Sequence, residues 1–240
     1  FIPSFLLKTE KYFDIVGSLT YIITISIAYF SVENKTMIDS IIYFYVMVWA
    51  SRLGIYLFRR VRNDGKDIRF EKAKRHFFWF LQYWMGQALW VSITACAAII
   101  AILSPEDNTL PVFAIIGMAL WLSGFAIESI SDYQKRVFRK ENNPSESFIH
   151  TGLWARSRHP NYFGEITLWT GIAVIALNTL TGIEYTTLIS PVFVYILLTR
   201  MSGINLLERI ADERYGHLEE YQRYKSTTPV LIPNLFKNKT

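Results

Sequence analysis

The chain has 240 residues, of which 51% are hydrophobic, 16% are aromatic and only 19% are charged. Charged residues usually make up about a quarter of a soluble domain, so this composition argues against a soluble globular fold. The net charge is +5, but the basic segments show neither regularly interleaved aromatics nor a zinc-finger or recognition-helix pattern, which excludes a typical nucleic-acid-binding protein.

Six apolar blocks follow one another along the chain. Their bounds are 13–30, 37–58, 77–103, 111–130, 161–180 and 185–207. A membrane-spanning helix needs roughly 20 mostly apolar residues, and every block except the marginal first one is near or above that length. We therefore predict an all-α integral membrane protein, a bundle of six transmembrane helices, or seven if another span precedes residue 1.

The connecting loops alternate in positive charge. Eight Lys or Arg residues lie in 59–76, six in 131–160 and six in the tail from residue 208, whereas the loops "SPEDNT" and "TGIEYT" contain none and "SVENKT" contains one. Positive loops mark the cytosolic side of a membrane. Both ends of the sequence and the three basic surfaces are therefore predicted to be cytosolic, in a bacterial inner membrane or an endoplasmic-reticulum-like membrane.

Several ionisable residues lie at membrane depth, where a charge costs several kcal/mol unless it faces a partner or a cavity. They are Arg52, Glu128, Glu165, Arg200 and Glu208. Nearly all are in the cytosolic half of their spans. This placement predicts one polar cavity open to the cytosol.

The stretch "ESISDYQKRVFRK" continues the fourth span into a basic loop. Its charged residues recur at helical spacing and share one face: Glu128, Asp132, Lys135, Arg136 and Arg139. Such a face suits a long anion, because carboxylates accept from ribose hydroxyls or an amide and guanidinium groups bind phosphate. A ladder of i,i+4 salt bridges is the structural alternative.

The stretch "TGLWARSRHPNYFGEI" leads into the fifth span. Pro160 suits the first turn of a helix, and Asn161, Gly164 and Glu165 then share one face. Gly164 allows a neighbouring backbone or a flat ring to approach closely. Arg156, Arg158 and the helix amino end favour phosphate, whereas the alternative for Glu165 is an ion pair with Arg200 or another basic residue.

The tail 208–233 is amphipathic and combines tyrosines with basic residues, among them Arg214 and Tyr224. One interpretation is a lid that closes the cytosolic mouth over a ligand. The other is an interfacial helix anchored by its aromatic and basic side chains.

These three C-terminal motifs, in this order, resemble bacterial-type members of the steroid 5-alpha-reductase family. The resemblance covers about the last 115 residues closely, and the stretches "WASRLGIYLFRR" and "GKDIRFEK" are also similar. Sterol reductases and isoprenylcysteine methyltransferases are more distantly similar. The methyltransferases share an "Arg-His-Pro-x-Tyr" motif with this chain.

The resemblance implies a membrane reductase that transfers hydride from NADPH to a conjugated C=C of a lipid or steroid-like enone. Residues 1–110 would form the substrate side, and 111–240 the cofactor-binding helices and cytosolic lid. The implied cofactor-binding residues are Glu128, Asp132, Arg136, Arg139, Arg156, Arg158, His159, Asn161, Tyr162, Glu165, Arg214 and Tyr224.

The chain departs from the steroid-converting members in one early span. Those members carry a Gln-Glu-Leu-Pro stretch whose Glu acts with a Tyr on the substrate carbonyl, and this stretch is missing here. Arg52 is the polar residue of the corresponding region, "VWASRLGIYLF". We therefore take Arg52, Tyr83 and Gln87 as candidate catalytic donors, with Tyr83 and Gln87 one helical turn apart.

Two other functions stay open at this point. One is a methyltransferase of the isoprenylcysteine or phospholipid type that uses S-adenosylmethionine, and the other is a non-catalytic lipid- or sterol-binding membrane protein. The four scattered histidines and the single Cys96 show no metal-ligand spacing, so no metal is expected. The predicted partners are the lipid bilayer and a lipid or steroid-like substrate, without nucleic acid or an obligatory protein partner.

Overall fold

A computed structural model describes residues 1–64, 70–104, 111–143, 146–201 and 203–234. Parts of the "SPEDNT" loop and of the basic stretch 59–76, including most of "GKDIRFEK", lie outside these ranges. Within them every regular element is a helix and no residue lies in a strand. This confirms the predicted all-α architecture.

The helices follow the predicted apolar blocks. In chain order they are α1 Ile2–Leu6, α2 Phe13–Ser31, α3 Met37–Asp64, α4 Phe77–Leu103, α5 Val112–Glu141, α6 Pro160–Ala176, α7 Ile189–Ile196, α8 Ile204–Tyr215 and α9 Glu219–Thr227. Short 3₁₀ segments lie at Ala73–Arg75, Gly152–Ala155 and Gly182–Leu188, and a π-helical turn lies at Leu197–Met201.

Five helical stretches in the described ranges are long and apolar enough to cross a membrane: Phe13–Ser31, Met37–Arg62, Phe77–Leu103, Val112–Glu141 and Gly182–Tyr215. The fifth predicted block, 161–180, forms α6, which has only 17 residues and is at the lower limit for a span. The last block, 185–207, is also not one regular α-helix, because 3₁₀ and π-helical turns interrupt it.

The chain divides into two compact units. The first comprises Phe1–Ala114 and Ile175–Ser190, and the second comprises Ile115–Val174 and Pro191–Thr240. In the first unit, α2 packs against α3 and α4. A Cβ atom on Gly54 of α3 would lie 2.7 Å from the Ser18 side chain of α2, so a glycine allows this close approach.

Aromatic packing stabilises one end of the first unit. The rings of Phe13, Phe70 and Phe80 are buried together, with Phe1, Phe5 and Trp84 packed around them. The ring centroids of Phe13 and Phe70 are 4.7 Å apart. Aromatic pairs at such distances stabilise by about 0.5–1.5 kcal/mol beyond the burial of their area.

In the second unit, α5 and α6 cross with their backbones in direct contact. A Cβ atom on Gly164 would lie 2.6 Å from both the Glu128 amide nitrogen and the Gly124 carbonyl oxygen. A Cβ atom on Gly124 would in turn lie 2.5 Å from the Leu168 amide nitrogen. Because apolar side chains gain little by leaving lipid, small residues that permit such an approach are a main determinant of helix packing in membranes.

We predict that Gly164→Ala destabilises the protein by about 1–3 kcal/mol, the usual cost of an additional methyl group in a tightly packed contact. Here the new methyl group would meet backbone, which cannot rotate away. The measurement is the free energy of unfolding by denaturant in detergent. Gly86→Ala is the matched control, because a Cβ on Gly86 of α4 would meet nothing within 4 Å. Equal stability of the two variants would show that the crossing is looser than described.

Candidate functional site

The face of α5 that packs on α6 carries two carboxylates. Glu128 and Asp132 are 2% and 5% exposed, although a buried carboxylate is costly unless hydrogen-bond donors or cations reach it. Arg136 and Arg139 follow on the next turns of the same helix and are exposed. The predicted order from acidic to basic along α5 therefore coincides with a change from buried to exposed.

The first turns of α6 lie against this acidic part of α5. Asn161 Nδ2 donates to Asp132 Oδ1 at 3.5 Å. Glu165, one turn further along, is 8% exposed. Gly164 is predicted to allow either a neighbouring backbone or a flat ring to approach. The structure shows the backbone of α5 against Gly164, and this contact brings Asn161 close to Asp132.

The loop before α6 is fixed to α5 by several contacts. Trp154 is buried, and its Nε1 donates to the Ser131 carbonyl oxygen at 3.1 Å. The Leu153 amide donates to Gln134 Oε1 at 3.0 Å, and Lys135 Nζ lies 4.7 Å from the centre of the Trp154 ring. Loop and helix therefore form one rigid surface.

The C-terminal tail packs on the other side of this loop. The Arg158 amide donates to the Pro229 carbonyl oxygen, and the Asn234 amide donates to that of Arg156, both at 2.9 Å. The Tyr224 hydroxyl donates to the Trp154 carbonyl oxygen at 2.7 Å, and burial raises the pKa of this phenol. The end of the tail predicted as a lid or an interfacial helix is thus hydrogen-bonded to the loop.

Glu208 of α8 bridges two residues of the "Arg-His-Pro" motif. Its Oε2 lies 2.8 Å from Arg158 Nη1, and its Oε1 lies 2.7 Å from His159 Nε2. The Arg158 and His159 side chains are 12% and 8% exposed. The structure therefore gives these two predicted cofactor ligands an internal carboxylate partner.

The other candidates of this unit lie around that bridge. The Tyr162 ring is stacked on His159, with centroids 5.7 Å apart and planes at 14°, and it contacts Gly203 closely enough that a Cβ there would lie 2.9 Å from it. Arg156 is partly buried, with Nη1 3.5 Å from the Asn234 carbonyl oxygen. Arg214 is exposed, and its guanidinium lies 5.9 Å from the Tyr215 ring centre.

The three candidate catalytic donors belong to the first unit. The Arg52 guanidinium lies 5.9 Å from the Tyr56 ring centre. Tyr83 is 42% exposed and its ring packs on Phe70 with centroids 5.0 Å apart. Gln87 Nε2 donates to the Phe13 carbonyl oxygen at 3.0 Å, which uses one of the two hydrogens on that amide nitrogen.

The bridging role of Glu208 is a feature that the sequence did not reveal. Its position at membrane depth marks it as a candidate functional residue, but nothing in the spacing links it to Arg158 and His159, which lie 50 and 49 positions away. Gln134 was missed as well, because a glutamine in a charged helix carries no distinctive signal. Within the described ranges, no three His, Cys, Asp or Glu side chains are grouped so that they could hold a metal ion.

Comparison with known proteins assigns the family. A sequence-family profile described as "Protein of unknown function (DUF1295)" matches residues 1–228. The chain belongs to this family. No solved structure gives a significant match to this DUF1295 protein.

Curated relatives share the same name in several mammals. The 3-oxo-5-alpha-steroid 4-dehydrogenase 1 of Mus musculus is 31% identical over 135 residues, which cover 56% of this chain and 47% of that protein. The proteins of that name from Macaca fascicularis and Homo sapiens are 28% and 27% identical over 122 residues, which cover 51% of this chain and 41% and 42% of those proteins. The matched part is thus less than half the length of these relatives. The predicted resemblance to steroid 5-alpha-reductases is confirmed.

We predict that Tyr224→Phe lowers the stability of the DUF1295 protein by about 1 kcal/mol, because the buried Trp154 carbonyl oxygen loses its donor. Thermal unfolding in detergent measures this change. Tyr133→Phe is the control: Tyr133 is on α5 and is 57% exposed. A tail that is only loosely attached would give equal melting temperatures for both variants.

We also predict that stability falls as the pH drops below about 6.5, the ordinary pKa of histidine. Burial lowers the pKa of His159 in the folded protein, and the bond to Glu208 opposes this only in part. As the pH falls, the unfolded chain therefore binds this proton before the folded protein does. The stability contributed by neutral His159 is lost as the pH falls from the pKa of the histidine in the unfolded chain to its lower pKa in the folded protein.

The measurement is the melting temperature from about pH 8 to about pH 5, the range in which histidine titrates. His159→Gln should flatten the dependence in this window, since glutamine does not titrate but can donate to Glu208. His217→Gln alters an exposed histidine and should keep the wild-type slope. A wild-type slope in His159→Gln would assign the effect to another group.

Proposed function

We propose that this DUF1295 protein is a membrane-embedded, NADPH-dependent reductase. Its substrate class would be a lipid or steroid-like enone whose conjugated C=C is reduced. The homology to proteins named steroid 4-dehydrogenases supports this assignment. The observation that carries it is the pair of buried carboxylates Glu128 and Asp132, the second of which accepts from Asn161, next to exposed arginines on the same helix.

The proposed topology has six spans with both ends of the chain in the cytosol. α6 would be the additional span, because its 17 residues extend roughly 25 Å along the helix axis. The excess of Lys and Arg in alternate loops supports this orientation. The site on α5 and α6 would then face the cytosol, where nicotinamide cofactors are available.

The residues present fit the chemistry of a dinucleotide. Carboxylates accept hydrogen bonds from hydroxyl and amide groups, and ribose hydroxyls and the nicotinamide carboxamide are such donors. Glu128 and Arg139 are 11 positions apart on one helix, which corresponds to roughly 16 Å. The hydrogen-bond acceptors and the cations are therefore separated along the helix axis, in the same way as hydroxyls and phosphates are separated along a nucleotide.

The roles within the site follow from this polarity. Glu128 and Asp132 would accept from ribose hydroxyls, and Asn161 and Glu165 would bind the carboxamide end. The phosphate oxygens would be bound by the arginines at the cytosolic side: Arg136, Arg139, Arg156 and Arg214. The helices 111–240 would thus hold the cofactor, while residues 1–110 would contribute the substrate side.

When bound, NADPH would supply a hydride to the β carbon of the enone, which would leave negative charge on the carbonyl oxygen until a proton added to the α carbon completes the reduction. Positioned donors at such an oxygen lower the barrier by about 3–4 kcal/mol. Arg52, Tyr83 and the second amide hydrogen of Gln87 are the proposed donors. The apolar surroundings of α2, α3 and α4 would exclude water from the substrate and strengthen these interactions.

We predict that NADPH raises the melting temperature of the purified protein, because a ligand at 100 times its Kd stabilises by about 2.7 kcal/mol. Asp132→Ala and Glu165→Ala should each weaken NADPH binding at least about tenfold, which is about 1.4 kcal/mol. Glu141→Ala is the matched control, since it removes an exposed carboxylate at the end of the same α5 helix.

Parallel measurements with NADH and S-adenosylmethionine separate the alternatives. Stabilisation by S-adenosylmethionine and not by NADPH would favour the methyltransferase, and no effect of any of the three would contradict the proposed enzyme. A shift with NADPH that Asp132→Ala leaves unchanged would place the nucleotide elsewhere.

A further inference from the structure

The bridge formed by Glu208 is a largely buried cluster of ionisable side chains in the second unit. One carboxylate contacts Arg158 and His159 through separate oxygens, at 2.8 and 2.7 Å. Since all three side chains are at most 19% exposed, solvent screens these contacts only weakly. Removing one member of such a group leaves buried charge without compensation.

The bridge acts on the start of α6. Arg158 and His159 directly precede Pro160, the first residue of α6, and Asn161 follows it. Tyr162 links α6 to Gly203 at the start of α8 as well. The first turn of α6 is thus held to α8 by two contacts, and this turn carries the Asn161 amide that donates to Asp132.

We propose that Glu208 is a positioning residue for nucleotide binding. It holds Arg158 and His159 as internal partners and thereby fixes the turn from which Asn161 and Glu165 reach the ligand. Arg158 consequently stabilises the fold through its contact with Glu208 and does not bind a phosphate group. The more exposed arginines bind phosphate instead. This inference rests on the proposed function and adds a role that the motif does not indicate.

The two possible roles of Arg158 predict opposite effects of Glu208→Ala. If Arg158 bound phosphate, Glu208 would compete for the guanidinium, and its removal would strengthen nucleotide binding. If Glu208 positions the turn, its removal weakens binding. The sign of the change in affinity therefore separates the roles.

The experiment measures the affinity of the purified protein for NADPH and NADH, at low and at moderate salt. The variants are Arg158→Ala, Glu208→Ala and their double mutant. We expect each single change to weaken the binding of both nucleotides by about tenfold or more, which is about 1.4 kcal/mol, because the first turn of α6 loses its bridge to α8. The double mutant should be no weaker than either single variant, because both changes remove the same bridge.

Two further measurements test whether Glu208 acts by positioning the first turn of α6. The salt dependence should equal that of the wild type, since no phosphate contact is lost. In a background that carries both Asn161→Ala and Glu165→Ala, Glu208→Ala should weaken binding little further, because both residues through which it acts are absent. Glu208→Gln, which still accepts from His159, should recover part of the affinity.

The matched control is the ion pair of Arg209 and Glu213 on the same helix α8. The charged atoms of this pair are 3.9 Å apart and both side chains are about 70% exposed. Arg209→Ala and Glu213→Ala should therefore each change the affinity for the nucleotides less than twofold. Tighter binding by Glu208→Ala, additive losses in the double mutant, or a reduced salt dependence would each overturn the proposal.

Failure of the proposed function gives a different result. A wild-type protein that binds neither nucleotide would contradict the reductase, and positioning of a nucleotide would fall with it. The same double-mutant cycle measured by melting temperature needs no ligand. A coupling larger than that of Arg209 and Glu213 would then still establish the bridge as structural.

Discussion

The backbone contact between α5 and α6 is the constraint on which the candidate site depends. Gly124 and Gly164 leave no side chain between the helices, so the acidic turns of α5 lie directly beside the first turns of α6. Any side chain at these positions would separate Asp132 from Asn161, which are joined by a hydrogen bond of 3.5 Å. In a membrane, where apolar side chains gain little from leaving lipid, such close packing largely decides which helices associate.

A second group of interactions holds the loop before α6 in this unit. Backbone and side-chain hydrogen bonds connect the loop 151–159 to α5 on one side and to the tail on the other, with Trp154 contacting both. Glu208 adds a bridge between α8 and the start of α6. These contacts are polar and directional, and each buried group is stabilised only while its partner stays in place. The arrangement of α5 and the start of α6 therefore depends on contacts with the loop, α8 and the tail.

The two units contain different parts of the proposed enzyme. The second contains the motifs that carry the resemblance to steroid 5-alpha-reductases and the cluster of carboxylates, amide and arginines. The first contains Arg52, Tyr83 and Gln87, whose polar groups lie within apolar helices but were selected without a matching family motif. The homology covers about half of this chain and less than half of its named relatives.

The sequence by itself determined the all-α class, the positions of most apolar helices and the acidic-to-basic order along α5, because hydrophobic length and helical periodicity are local properties of the chain. It also located Asn161 and Glu165 on one face of α6. It did not foresee the 17-residue length of α6 or the interruptions after residue 182. Only the tertiary structure decided that Gly164 meets a backbone, that Glu208 bridges Arg158 and His159, and that the tail is hydrogen-bonded to the loop before α6. These contacts join residues tens of positions apart, and their energies depend on burial and partner geometry, which no local pattern encodes.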